Sequence, residues 1–177
     1  MTKHMEIRIC GLGGQGVVLA GQILGKAAVY DGLNVVQTQS YGAEARGSAA
    51  KSEVIISEDK IGFPLVRCCD VLIAMSQQSL NMYVKDLKEN GTLVLDEGLV
   101  EHAPSDLKVK LFSVPATKTA ENMFKSNLYA NIVILGAVTK ITKFVTENSM
   151  EKAIIEDFPE KVREVNIKAF RKGFELG

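Results

Sequence analysis

The sequence predicts an α/β fold: a Rossmann-like, doubly wound, mostly parallel sheet with a helical C-terminal third. Three observations predict it. The apolar run Ile7-Arg8-Ile9-Cys10 feeds Gly11-Leu12-Gly13-Gly14-Gln15-Gly16 and then Val17-Val18-Leu19-Ala20, which reads as strand, glycine-rich turn and helix. Asp70-Val71-Leu72-Ile73-Ala74-Met75 is a continuous apolar stretch, the pattern of a parallel strand buried on both faces. Beyond Pro115 the apolar residues recur at helical spacing.

The elements follow in order. A first strand is expected over Glu6–Cys10 and a first helix from Gly14 to Tyr30, apolar nearly all round. Gly21 and Gly25 share one face of that helix and allow close approach to the sheet or to another helix, and Asp31-Gly32 ends it. Asn34–Gln39 reads as the second strand, and Ser40-Tyr41-Gly42-Ala43-Glu44-Ala45-Arg46-Gly47-Ser48 as a loop. Ala49–Ser57 alternates, with Lys51, Glu53 and Ile55 on one face and Ser52, Val54 and Ile56 on the other. A helix is expected from Ser79 to Glu89, ended by Asn90-Gly91, then a strand over Thr92–Leu95 and an edge strand over Leu107–Val114. Thr117–Lys125 and Leu128–Phe144 read as helices. A third helix starts near Asn148-Ser149, with Glu151 placed for a capping box. Pro159 opens the last helix, whose apolar stripe is Phe158, Val162, Val165, Ala169 and Phe170, with a solvated charged face opposite.

Composition bounds the reading. The 177 residues form one ordinary domain, 1–177, 46% hydrophobic and 24% charged. Twenty-one basic residues balance twenty-one acidic ones, so charge suggests neither a nucleic-acid nor a membrane partner. No apolar run is long enough to span a bilayer and no signal-peptide pattern is present, so a cytoplasmic location is expected. Cys10, Cys68 and Cys69 are too few and too badly spaced for a zinc site or an iron–sulfur cluster and read as buried free thiols, so no metal ligand is assigned.

The chemistry centres on two stretches. In the glycine turn, Gly11 can make the tight bend, Gly13 lets the backbone approach a ligand and Gly16 lets helix and strand pack closely, with Gly14 between them. With Gln15 these form a phosphate-binding candidate, because a helix start offers free N–H groups and a positive dipole end. A nicotinamide site would need an acidic residue at the end of the second strand, where this chain has Gln37-Thr38-Gln39-Ser40. The second stretch places Ser40, Tyr41, Gly42, Glu44, Arg46 and Gly47 just past a strand C-terminus, where ligands collect in doubly wound sheets. Glu44 and Arg46 can pair in an extended segment, and the pattern fits either a functional clamp or a solvated loop. His4 and His102 read as surface histidines, and no nucleophile elbow, Walker lysine or zinc-protease motif is present. No catalytic residue is assigned.

These motifs carry a resemblance. Gly11-Leu12-Gly13-Gly14-Gln15-Gly16-Val17-Val18-Leu19-Ala20 and Gln39-Ser40-Tyr41-Gly42-Ala43-Glu44-Ala45-Arg46-Gly47, with Val114-Pro115-Ala116 and Asn131-Ile132-Val133-Ile134-Leu135-Gly136-Ala137, resemble the gamma-type subunit of 2-oxoacid:ferredoxin oxidoreductases. The Ser-Tyr-Gly form is more similar to the 2-oxoglutarate type than to the pyruvate type. The resemblance implies a subunit, inactive alone, of an enzyme that oxidatively decarboxylates a 2-oxoacid and passes the acyl group to CoA. It places thiamine diphosphate and Mg on alpha and beta partners and iron–sulfur clusters on partner chains, with a ferredoxin-like delta subunit and ferredoxin or a similar acceptor. CoA contains a pyrophosphate, so Gly11–Gly16 is expected to form part of its cradle, and the Ser40–Ser48 stretch is expected at a subunit interface. A competing reading is a nucleotide-binding Rossmann module that regulates by binding alone.

Overall fold

The computed structural model describes residues 3–42 and 48–177. Its strands are β1 (His4–Leu12), β2 (Asn34–Tyr41), β3 (Ala49–Ser57), β4 (Cys69–Ala74), β5 (Leu87–Asp96) and β6 (Lys110–Val114), in one sheet of order β2-β3-β1-β4-β5-β6. β1, β4, β5 and β6 pair in parallel. β3 is antiparallel to both β1 and β2, so it alone runs against the rest. The reversal has a local cause: only residues 42–48 separate β2 from β3, and so short a connection can join only antiparallel strands. The hairpin enters the sheet as a unit and wedges β3 between β1 and β2.

The helices are α1 (Val17–Tyr30), α2 (Gln77–Tyr83), α3 (Ala116–Phe124), α4 (Ala130–Thr142), α5 (Glu147–Asp157) and α6 (Glu160–Leu176). One sheet face, carrying Ile7, Ile9, Val54, Ile56 and Ile73, packs with residues of α1, α3, α4, α5 and α6 in a large apolar core. The other, carrying Cys10, Ile55, Leu72, Ala74 and Leu93, packs on Leu80 of α2 and on Val66 and Val100 from connecting segments. The chain leaves β1 through α1 onto the first face and leaves β4 through α2 onto the second. Neighbouring β1 and β4 therefore form a topological switch point, where a crevice opens beyond the strand C-termini.

The thin face also holds buried charge. Arg8 of β1 is 2% exposed and Glu53 of β3 is 6% exposed. Arg8 donates from Nε to Glu53 at 2.8 Å, from Nη1 to Asp86 at 2.5 Å and from Nη2 to the Val66 carbonyl at 2.9 Å. Lys51 adds a 3.0 Å contact to Glu53, and Tyr83 lies under both cations. Burial opposes the Arg8 charge, but the bonds and field of Glu53 and Asp86 outweigh it and raise the pKa. Burial pushes the Cys10 thiol up to about 11 and the Cys69 thiol up to about 12, so both stay protonated and unreactive at neutral pH. Cys68, expected to be buried, is exposed.

Several boundaries differ from the sequence reading, each for a tertiary reason. The helix expected from Ser79 to Glu89 stops at Tyr83, and after a single 3-10 turn, Val84–Asp86, the chain enters β5. Asn90-Gly91 is an irregularity inside β5, with Asn90 at φ 61, because Leu87 pairs with Cys69 and Thr92 with Val71. The expected edge strand is real but begins at Lys110. The expected Leu128 helix starts with a 3-10 turn, Asn127–Tyr129, and Lys143 at φ 51 ends α4. The cap of α5 is Thr146, whose hydroxyl accepts from the Ser149 N–H, while Glu151 binds Arg171 instead of closing a capping box. In α6 the fully buried stripe is Asn166, Ala169, Phe170 and Gly173, rotated from the expected one because α4 packs closely on that side.

Candidate functional site

The glycine turn lies at the switch point. Gly11 is still within β1, opposite Ala50, so the bend comes later than expected. Gly11 is needed for proximity: a Cβ there would lie 2.5 Å from Gln15 Oε1 and 2.9 Å from Val17 Cγ1. The turn itself uses Gly14 at φ 98 and Gly16 at φ 71, left-handed conformations in which glycine has no Cβ penalty. Gly16 caps α1, and its close neighbour is Asn131 of α4, not the strand: a Cβ would fall 2.3 Å from Asn131 Nδ2.

Gln15 holds the turn in shape. Its Oε1 accepts from the Leu12 N–H at 2.6 Å, and its Nε2 donates to the Met75 carbonyl at 2.7 Å. The side chain thereby fastens the turn after β1 to the end of β4. Asn131 donates Nδ2 to the Gly16 carbonyl at 3.1 Å, leaving its Oδ1 buried without a hydrogen-bond partner among the described residues. The first N–H groups of α1 have no partner within the helix.

The two sequence motifs meet here. The Gly13 N–H donates to the Ser48 carbonyl at 2.9 Å, across the base of the hairpin. Ser40 and Tyr41, expected in a loop, extend β2 opposite Lys51 and Ala50. The Gly42 N–H donates to the Ala49 carbonyl at 2.9 Å and closes the ladder. Glu44, Arg46 and Gly47 lie outside the described residues, and with them the expected Glu44–Arg46 pair.

Two clefts flank Gly14. One, of about 250 Å³, is bounded by Gly13, Gly16, Val17, Val18 and the exposed Tyr41. The other, of about 200 Å³, lies between Gln15 and Met75 on one side and Glu121 of α3, Asn127 and Ala130 on the other. A broader open groove of about 740 Å³ runs between α1 and β2, away from the strand C-termini, with Gln22, Lys26 and Val35 in its walls. The clefts at Gly14 have the stronger functional case, because they open where strand direction and helix placement change.

Asp96, at the C-terminus of β5, escaped the sequence reading. It is fully buried and accepts from the Thr117 N–H at 3.2 Å and the Thr117 hydroxyl at 2.6 Å. It supplies the cap for α3 that Pro115 has no side-chain donor or acceptor to give. Burial raises its pKa above the ordinary carboxylate value, against the pull of Thr117 and the Gly98 and Ala116 N–H groups. The available signal was an acidic residue ending an apolar strand before a helix. Glu121 and Asn127 left no comparable signal, because only packing brings them to the turn.

Among the described residues no three His, Cys, Asp or Glu side chains are grouped to hold a metal ion, and no helix is long and apolar enough to cross a membrane. The histidines stand apart from the clefts: His4 is beside Glu6, and the exposed His102 is beside Glu101. The arrangement can bind and position a ligand rich in acceptors and donors. Among the described residues it brings together no nucleophile and base.

Comparison with known proteins gives consistent results. A family model described as pyruvate ferredoxin/flavodoxin oxidoreductase matches residues 6–176. The 2-oxoglutarate synthase subunit KorC of Methanocaldococcus jannaschii is 48% identical over 178 residues, covering 99% of this chain and 95% of that protein. The solved gamma subunit of a keto/oxoacid ferredoxin oxidoreductase from Geobacter sulfurreducens superposes with a TM-score of 0.86 at 44% identity, covering 97% of each chain. A 2-oxoglutarate:ferredoxin oxidoreductase from Magnetococcus marinus, solved with 2-oxoglutarate, coenzyme A and succinyl-CoA bound, superposes with a TM-score of 0.90 at 27% identity. That match covers 99% of this chain but 31% of the Magnetococcus chain.

Proposed function

The chain belongs to the pyruvate ferredoxin/flavodoxin oxidoreductase family and is a gamma-type subunit of a 2-oxoacid:ferredoxin oxidoreductase, and from that premise we propose that it acts in 2-oxoglutarate oxidation as the subunit that holds CoA. The KorC relatives favour 2-oxoglutarate as the substrate. Residues 1–177 work as one domain in this reading, in the cytoplasm. Alpha and beta subunits bearing thiamine diphosphate and Mg, a ferredoxin-like delta subunit with iron–sulfur clusters, and ferredoxin complete the enzyme. Thiamine diphosphate supplies the decarboxylation chemistry, and this chain supplies a surface on which CoA is oriented toward it.

The observation that carries the reading is the turn at Gly14. Backbone at φ 98 leaves nothing within 4 Å of where a Cβ would stand, at the mouth of two clefts and beside the start of α1. A pyrophosphate fits such a place, because unpaired helix N–H groups and the helix dipole favour a bound anion. Gln15 and Asn131 hold the turn in that shape before any ligand arrives, which lowers the ordering cost of binding. The exposed Tyr41, at the end of β2, faces the alpha and beta subunits in this reading.

The test is Gly14→Val in the co-expressed complex. The dissociation constant and KM for CoA should rise tenfold or more, on the order of the 1.4 kcal/mol per decade of affinity, with KM for 2-oxoglutarate little changed. Unchanged CoA affinity in an assembled complex would reduce the glycine turn to a packing device. The chain purified alone should fold yet oxidise no 2-oxoacid with thiamine diphosphate, CoA and a viologen dye.

A further inference from the structure

The sheet ends at β6, so one side of that strand has no partner strand among the described residues. The Val114 carbonyl accepts from the Glu97 N–H on the β5 side. Backbone groups alternate in direction along a strand, so the N–H and C=O of Leu111 and Ser113 point away from β5.

Large apolar side chains stand bare on both faces of this edge. Val114 is buried in the larger core. Phe112, two residues earlier, shares its side, and Leu111 lies on the other. Yet Phe112 is 37% exposed and Leu111 49%. The layers that cover the sheet therefore stop short of β6 on either side. The opposite edge differs. Apart from Tyr41 at its end, β2 keeps Val35 and Val36 half-buried and otherwise carries the amides and hydroxyls of Gln37, Thr38, Gln39 and Ser40.

Unpaired positive charge accompanies the bare apolar surface. Lys108 and Lys110 are exposed, and neither forms an ion pair among the described residues. With Asn90, Leu107 and Val109 they bound a surface cavity of about 310 Å³ at the start of the strand. Apolar side chains beside two ammonium groups suit an acidic side chain with an aliphatic stem.

From these features we infer that β6 is a docking edge for an extended, acidic segment of a partner subunit, which joins the sheet as a further strand. The inference rests on the chain being a subunit of a larger enzyme, and not on the CoA reading. Apolar residues on both sides of the sheet plane are covered together by an element lying in that plane. A strand does this, whereas a helix laid on one face does not. Main-chain bonds to Leu111 and Ser113 hold the segment, its apolar side chains cover Leu111 and Phe112, and its carboxylates meet Lys108 and Lys110. A second copy of this chain fits less well. β6 contains no carboxylate, and a lysine on an edge strand discourages pairing with a like edge.

The test uses the co-expressed complex. A water-soluble carbodiimide joins amines to carboxylates in contact, and peptide mass spectrometry should find Lys108 or Lys110 linked to an Asp or Glu of another subunit. Ser113→Pro removes an N–H that this chain's own sheet does not use, at an edge position where proline is tolerated. It should weaken subunit association roughly tenfold or more, through the lost ladder bond and the disturbed fit around it, while Ser113→Ala leaves association unchanged. Lys108→Glu with Lys110→Glu should weaken it by a similar factor, and Lys108→Arg with Lys110→Arg should not. Crosslinks from these lysines to a second copy of this chain alone would assign the edge to self-association and overturn the proposal. Full association by sedimentation in both the proline and the double-glutamate variants would also overturn it. Neither result bears on the effect of Gly14→Val on CoA.

Discussion

The two faces of the sheet are buried by different means. On the thick face helices press so closely that atoms are omitted: a Cβ on Gly173 of α6 would lie 1.8 Å from the Val133 carbonyl oxygen of α4. On the thin face a single short helix and connecting segments cover the strands, and part of the interior is an ion cluster of Arg8, Glu53, Lys51 and Asp86. One face therefore depends on volume, and the other on charge balance. The candidate site lies at the seam, where β1 sends its helix to one face and β4 to the other. A turn fixed from both sides is suited to hold a ligand in one orientation.

The comparison breaks most visibly at Gly173. Gly173→Leu forces α4 and α6 apart along their main contact, and a loss above about 4 kcal/mol is expected, the range of severe core disruption. That is a large part of the ordinary stability of a domain. Circular dichroism should show no cooperative melt at 37 °C. A variant melting within a few degrees of the parent would show that the helices are not seated as described.

Arg8→Ala tests the charged face. It leaves the buried Glu53 with Lys51 as its remaining cation, and breaking a buried pair in this way costs about 3–5 kcal/mol. Arg8→Met combined with Glu53→Met removes both charges at similar volume and should recover most of the loss, since such exchanges are often neutral or stabilising. Urea unfolding of the single and double variants decides the matter. If the double variant is no better than Arg8→Ala, Lys51 and Asp86 depend on the pair more than pairwise geometry suggests.

The smallest effect sharpens the picture of the thick face, at whose rim a carboxylate ties two helices. Asp31, at the end of α1, accepts from the Thr146 N–H and hydroxyl and the Ser149 hydroxyl at the start of α5. Burial works against its charge, but these hydrogen bonds outweigh it and lower its pKa. A depressed folded-state pKa means stability that is present above the unfolded value and is lost as pH falls through the folded one. Asp31→Asn should cost about 1 kcal/mol at pH 7, the scale of a lost helix cap. The gap between parent and variant should hold from pH 7 to 5 and close below about pH 4, under the ordinary carboxylate value. A gap that persists at pH 2 would assign the effect to packing.

Much of this was legible from local pattern. The glycine turn, the alternation in β3, the buried run of β4 and the apolar α4 follow from short-range sterics and periodicity, and the sequence shows them directly. The left-handed Gly14 and Gly16 are likewise local requirements. What misled was also local: Asn90-Gly91 looks like the end of a helix, yet pairing with β4 draws it into β5. The Ser40-Tyr41 pair looks like loop, yet β3 extends the ladder to it.

The sequence by itself determined the α/β class, the strand–turn–helix that makes a phosphate-ready end, and the family through motifs spaced along nearly the whole chain. The tertiary structure alone decided that β3 enters between β1 and β2, that Arg8 is paired rather than exposed, and that Ser48, Met75, Glu121 and Asn131 converge on one turn. The reason is range. A turn or a helical face is set by neighbours a few residues away, whereas Asn131 reaches Gly16 across 115 positions. Contacts of that separation are selected by the packing of the entire sheet and its helices, not by any pattern within either segment.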